Sequence, residues 1–144
     1  NPMSENFEVV RPSIFPSLLE SESVSGHAVY PHKIFEVGKV CFKDASDNSG
    51  TTTRDYLGFL MADTQVGYNE ASSYIQTLMY FLRKDYKLEV ATDDTRFIPG
   101  RSARVTVNGV VVGVFGEVHP QVLENWGCTM PSIMAELDLD LLLS

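Results

Sequence analysis

Cysteine is scarce in this chain: there are two, Cys41 and Cys128, far apart and outside any CxxC spacing. That pattern supports neither a zinc knuckle nor a redox pair, and fits two reduced thiols in a cytosolic protein. Long apolar runs are missing. Nothing approaches the ~18–20 residues that cross a bilayer, and no charged segment followed by an apolar one opens the chain as a secretion signal would. Basic residues are few, 11 Lys and Arg against 19 Asp and Glu, for a formal charge of −8. A pI near 4.7 argues against this piece alone gripping nucleic acid, which needs clustered cations. Neither GxGxxG nor GxxxxGK[ST] occurs, so no phosphate loop is present, and no GxSxG occurs to make a nucleophile elbow.

What remains is an ordinary globular composition. Of 144 residues, 44% are hydrophobic and 21% charged, and a chain of about 150 residues can bury enough surface for one core without staples. No internal repeat or long linker divides it, so one domain is expected over 1–144. It starts at Asn1 and stops inside Leu141-Leu142-Leu143, which suggests a domain cut from a longer protein.

Residues 1–11 read as a strand or extended arm. Ser13 is placed to cap a short helix through Ile14, Leu18 and Leu19, with Pro16 in the first turn where its missing N–H is harmless. Residues 20–26 read as a loop. Residues 33–42 alternate as a strand, with Ile34, Glu36, Gly38 and Val40 on one side and Phe35, Val37, Lys39 and Cys41 on the other. A polar loop is expected over 44–53 and a strand over 56–62. A helix capped by Asn69 should run to about Tyr86, with Ala71, Tyr74, Ile75, Leu78 and Leu82 on its inner stripe. A short strand at 88–91 and a loop at 93–101 precede the strongest local signal, two apolar strands (102–107 and 110–118) joined by Asn108-Gly109. That dipeptide supplies the positive φ angles of a type I′ turn, and opposes Val107 to Val110, Val105 to Val112 and Ala103 to Val114 on one buried face. His119-Pro120 begins a short helix with Val122, Leu123 and Trp126 inward and Gly127 ending it. Residues 132–141 alternate leucines with Glu136, Asp138 and Asp140. About six strands and three helices with hairpin connections predict an α+β fold, a mainly antiparallel sheet flanked by helices.

No catalytic set stands out. His27 and His32 lack metal-ligand partners at useful spacing. His119 beside Glu117 offers an acid–base couple or a simple helix cap. Glu136, Asp138 and Asp140 share a strand face that can hold Mg²⁺ or be the wet side of an amphipathic strand. Arg11, Arg96, Arg101 and Arg104 are the cations of interest, and Arg104 faces either a sheet-face cavity or an ion pair with Glu117 or Glu36.

Four strings in order carry more information: NPMSENFEVVRPSIFPSLLES, HKIFEVGKV, FIPGRSARVTVNGVVVGVFGEVHPQVLENWG and PSIMAELDLDLLL. Together they resemble the C-terminal, catalytic-like domain of the beta subunit of phenylalanyl-tRNA synthetase, in the form found in archaea and eukaryotes. The resemblance implies a class II synthetase fold. It implies a complex of two alpha and two beta chains that joins phenylalanine to tRNA with ATP and Mg²⁺. The active site would lie in alpha, tRNA would be held through other parts of the complex, and this domain would have no cofactor, metal or catalytic residue of its own. Class II catalysis uses a strand pair whose Arg binds the ATP α-phosphate and a later Gly-rich motif ending in Arg, because charge builds on phosphate during adenylation. In the matching places this chain has Glu8 to Arg11, then Ile34 to Val40 with the FEVG string Phe35-Glu36-Val37-Gly38 and Glu36 near where a cationic residue is expected, then AELDLDLLL, which holds no Gly or Arg and three acids. Acids facing a triphosphate repel it unless metals bridge them. The motif residues then become architectural. Asn1-Pro2 and Arg11-Pro12 fix the first strand and helix, and Gly100-Arg101 turns into the hairpin. Gly113 and Gly116 allow close backbone approach, and Glu117, His119 and Pro120 set the corner before the Trp126 helix. The face toward alpha should expose apolar surface. Two rival readings stay open. One is an active ligase with Arg11, Arg101 and Arg104 on phosphate and Glu136 or Asp138 on Mg²⁺; the other is a small-molecule or RNA-binding remnant, against which the −8 charge counts.

Overall fold

A computed structural model describes residues 11–46 and 48–144; the strand expected over 1–11 and the pair Asn1-Pro2 lie outside them, Arg11 excepted. In chain order the elements are α1 (Phe15–Ser23), β1 (His32–Lys43), β2 (Thr51–Ala62), α2 (Tyr68–Leu82), β3 (Lys87–Val90), β4 (Phe97–Val107), β5 (Val110–Val118), α3 (Pro120–Asn125), β6 (Ser132–Asp138) and α4 (Leu139–Leu142). The six strands form one sheet in the order β1-β2-β6-β5-β4-β3, and every neighbouring pair is antiparallel. The α+β expectation holds, with a fourth short helix.

Alternation along the strands gives the sheet two apolar faces, each with its own core. One packs Leu60, Ala62, Val114 and Met134 against Phe15, Leu18 and Leu19 of α1 and Leu123 of α3. The other packs Phe59, Ala103, Phe115 and Leu137 against Ala71, Ile75 and Met79 of α2. A sheet covered on both faces needs a doubly buried middle strand, and β6 is buried at every one of its seven positions.

Several boundaries differ from the pattern-based reading. Helix α1 continues through Ser23 because Glu22 is drawn inward by His32, 2.9 Å away, so residues 20–23 are not loop. The residue preceding α1 is Ile14, not Ser13; the Ser13 hydroxyl still accepts the Phe15 N–H at 3.2 Å, while Ile14 donates its N–H to Glu136 at 3.0 Å. The β-branched run Thr51–Thr53 pairs with Cys41–Lys43, which shortens the expected 44–53 loop. Helix α2 starts after Gly67, not at Asn69, because the Glu70 carboxylate accepts the Gly67 N–H at 2.9 Å. It ends at Leu82, where Arg83 turns left-handed with φ 56°. Strand β4 reaches back to Phe97 across an irregularity before Ser102, so much of the expected 93–101 loop is strand.

The Asn108-Gly109 turn is as expected, with φ 51° and 79°, and Val107 opposes Val110. Beyond it a bulge moves the register: Val105 opposes Gly113 and Ala103 opposes Phe115, so the pairings Val105–Val112 and Ala103–Val114 do not form. An extra residue in one strand sends everything after it to the opposite face. Phe115 therefore joins Ala103 under α2, and Val114 faces α1.

Candidate functional site

On the α1 face a cleft of about 310 Å³ opens between β2, β4, β5 and β6, lined among others by Tyr56, Asp94, Arg96, Arg104, Glu136 and Asp138. Glu136 and Asp138 come from β6, two residues apart and so on one face. They are not the wet side of an amphipathic strand: both are buried. Strand β6 ends at Asp138, so Asp140 leaves the row and sits in α4.

Each acid has a structural partner. Glu136 accepts from the Ser13 hydroxyl at 2.7 Å and from the Ile14 N–H at 3.0 Å, which caps α1, and its second oxygen lies 3.4 Å from Arg96. Asp138 pairs with Arg54 at 2.9 Å and caps α4 through the Leu141 N–H at 3.1 Å. Asp140 accepts the Asp55 N–H at 3.0 Å.

The cations are equally committed. The Arg96 guanidinium binds Asp94 through two nitrogens, at 2.6 and 2.9 Å, and lies over the Phe15 ring, 4.5 Å from its centroid. Burial works against both charges. The hydrogen bonds and opposite charge override it, holding the Asp94 carboxyl below its ordinary value and Arg96 above its own, with Glu136 adding to the latter. Tyr56 is pushed up, first by burial and then by the charges of Asp138 and Glu136. Arg104 does point into the cleft, where it pairs with Asp93 rather than with Glu117 or Glu36. The floor is thus mixed, not anionic as expected: three carboxylates (Asp94, Glu136, Asp138) face two guanidiniums (Arg96, Arg104).

Other residues of interest lie outside the cleft. Arg11 sits against β1: its Nε donates to the Lys39 carbonyl at 2.7 Å, its Nη1 lies 3.1 Å from Glu36, and its carbonyl accepts the Cys41 N–H at 2.8 Å. Ser17 donates to the other Glu36 oxygen at 2.6 Å. A Cβ on Gly38 would overlap the Arg11 guanidinium. Phe35 is exposed on the opposite side of β1. Arg101 pairs with Glu117 at 3.3 Å, so the His119–Glu117 couple is not formed; the His119 Nδ1 accepts the Gln121 N–H at 3.0 Å, and Pro120 opens α3 behind that cap. A Cβ on Gly113 would overlap Leu137 and the Glu136 carbonyl, and one on Gly116 would strike Ser102. Gly100 has φ 79° within the irregular stretch of β4. Trp126 is not fully inward; it remains 38% exposed. Among the described residues no group of three or more His, Cys, Asp or Glu is poised to hold a metal, and no helix is long and apolar enough to cross a membrane.

Asp93, Asp94, Arg54 and Tyr56 escaped the pattern-based reading. The local spacing of Asp94 and Arg96 was a usable signal; the pairing of Arg54 with Asp138, 84 positions away, had none.

The fold, a six-stranded antiparallel sheet with helices on both faces, is shared with a solved aminoacyl-tRNA synthetase. Pyrrolysyl-tRNA synthetase from Desulfitobacterium hafniense superposes with a TM-score of 0.76 at 15% identity over 92% of this chain and 48% of that one, and a second structure of that enzyme gives 0.69 over the same shares. The chain belongs to the family described as the phenylalanyl tRNA synthetase beta chain CLM domain, whose profile matches residues 1–139. It is 48% identical to a phenylalanine–tRNA ligase beta subunit of Treponema pallidum over 99% of its length, and 46% identical to that of Borrelia hermsii over the same share. The chain spans about a quarter of the length of these relatives, 24% and 25%.

Proposed function

We propose that residues 1–144 are one catalytic-like but non-catalytic domain of a phenylalanine–tRNA ligase beta subunit, of the archaeal and eukaryal type. In a cytoplasmic complex of two alpha and two beta chains it supports the alpha subunit. That subunit attaches phenylalanine to its tRNA with ATP and Mg²⁺, and tRNA is held elsewhere in the complex. The relatives named above are bacterial; the type rests on the four sequence blocks.

The observation that carries this reading is that the cleft has no guanidinium to spare. Adenylation needs preorganised positive charge where negative charge develops on phosphate. Here Arg96 is tied to Asp94 and Glu136, and Arg104 to Asp93. Glu136 and Asp138, the acids spaced to hold Mg²⁺, instead cap α1 and α4. The motif residues Arg11, Glu36, Gly38, Gly113, Gly116 and His119 then serve packing and capping. Phe35 and Val37, 60% and 66% exposed on the β1 face away from α1, supply apolar surface for the alpha subunit to cover.

The test is phenylalanine-dependent pyrophosphate–ATP exchange in the alpha–beta complex carrying Arg104→Gln in beta, beside the full-length beta chain alone. The expected result is exchange within twofold of wild type in the complex and none from beta alone. A tenfold loss in an intact complex, or exchange by beta alone, overturns the proposal and favours an active ligase.

A further inference from the structure

His32 opens β1 with a side chain 5% exposed, and Glu22 of α1 faces it with 4%. The imidazole Nδ1 lies 2.9 and 3.0 Å from the two Glu22 carboxylate oxygens, and Nε2 lies 3.0 Å from the Ala28 carbonyl oxygen. Both nitrogens therefore face acceptors. A carbonyl cannot donate, so Nε2 carries a hydrogen; a proton must also lie between Nδ1 and the carboxylate. The pair thus holds one proton more than a neutral imidazole and a free carboxylate would.

The ring stacks on Tyr30 at 3.9 Å and 18°. Besides the Tyr30 phenol, the described residues bring Cys128, in the α3–β6 connection, close to Glu22. Its thiol donates to the Leu19 carbonyl at 3.7 Å, and it is pushed up by burial first and by Glu22 second, so it brings no competing charge. The three groups joined through the ring come from the last turns of α1, the 24–31 connection and β1. That connection displays two valines, Val24 and Val29, 78% and 89% exposed. Its other hydrogen bonds are short-range (Ser25 N–H to Glu22 carbonyl, Ala28 N–H to Ser25 carbonyl, and the Ser25 hydroxyl to the Ser21 carbonyl), and beside them only Tyr30, at its far end, packs against the α1-side core among the described residues.

We infer that the protonated His32–Glu22 pair is a latch that holds the 24–31 connection against α1 and β1 and releases it when the proton leaves. Loss of the Nδ1 hydrogen sets a bare nitrogen against the buried Glu22 carboxylate, and loss of the Nε2 hydrogen sets one against the half-buried Ala28 carbonyl; an acceptor held away from water without a donor is costly. The folded-state pKa of His32 is raised, chiefly by the hydrogen bond to Ala28 and then by the one to Glu22, against burial. The sign follows. The latch contributes fully below the ordinary histidine value of about 6.5 and is lost as pH rises through the raised folded value.

The test is hydrogen–deuterium exchange of the 24–31 amides in the full-length subunit, between about pH 5.5 and 9, corrected for intrinsic exchange. Wild type is expected to lose at least tenfold protection there as pH rises, while α2 does not. Glu22→Gln is expected to flatten the profile, because a glutamine amide donates to Nδ1 of a neutral ring and keeps both bonds. A flat wild-type profile overturns the latch whether or not the variant folds, and an unchanged slope in Glu22→Gln overturns the assignment to this pair.

Discussion

Glu136 offers the sharpest check on the idea that the cleft acids are structural. Its carboxylate receives the Ser13 hydroxyl and the Ile14 N–H and touches Arg96. Glu136→Ala removes the bond that caps α1 at the Ile14 N–H, about 1 kcal/mol, and the charge-assisted hydrogen bond from the half-buried Ser13 hydroxyl, ~1.5–3 kcal/mol. Arg96 keeps Asp94, so the full ~3–5 kcal/mol of a broken buried ion pair does not apply. The expected loss is about 3 kcal/mol, or roughly 10 °C in Tm for a chain of this size. Glu136→Gln keeps the shape and one acceptor and should lose about half as much, ~1.5 kcal/mol. Asp140→Asn touches one exposed backbone N–H and should stay within ~0.5 kcal/mol. The assay is equilibrium urea unfolding followed through the single tryptophan, Trp126, which lines a small pocket with Ser13, Phe15 and Arg96 and so reports on this face. A Glu136→Ala loss under about 1 kcal/mol would refute the capping argument and return Glu136 to the pool of free metal ligands.

Two further perturbations have clear directions. Gly113→Ala forces a methyl group into Leu137 and the Glu136 carbonyl and should cost at least ~1–3 kcal/mol, whereas Gly26→Ala, with nothing within 4 Å, should stay within ~0.5 kcal/mol by the same unfolding assay. Asp44 is held down at about 2 by the Ser46 hydroxyl, then the Thr52 hydroxyl and the Ser46 N–H. A depressed carboxyl stabilises the fold above its unfolded value and loses that contribution as pH falls from 3.8 through about 2. An acid titration should show the β1–β2 turn loosening in that window in wild type but not in Asp44→Asn, and equal curves would remove Asp44 from the account.

Much of the fold was legible locally. The Asn108-Gly109 turn, the Pro120 start of α3 capped by His119, and the alternation of Ile34, Glu36, Gly38 and Val40 depend on residues within a few positions of one another, and φ preference, capping and period-2 patterning act at that range. The hairpin register past the turn was not legible, since one bulge near the start of β5 inverts the face of every residue beyond it. The cleft was less legible still. Alternating leucine and acid in β6 reads as a half-wet strand, yet β6 lies between β2 and β5 with helices on both faces. Composition and spacing along the chain settled the α+β class and the local turns and caps, because those energies are short-range. Whether Glu136, Asp138, Arg96 and Arg104 are free for chemistry or consumed as caps and ion pairs was settled by packing, which brings Ser13 and Ile14 from more than a hundred positions away to the same carboxylate.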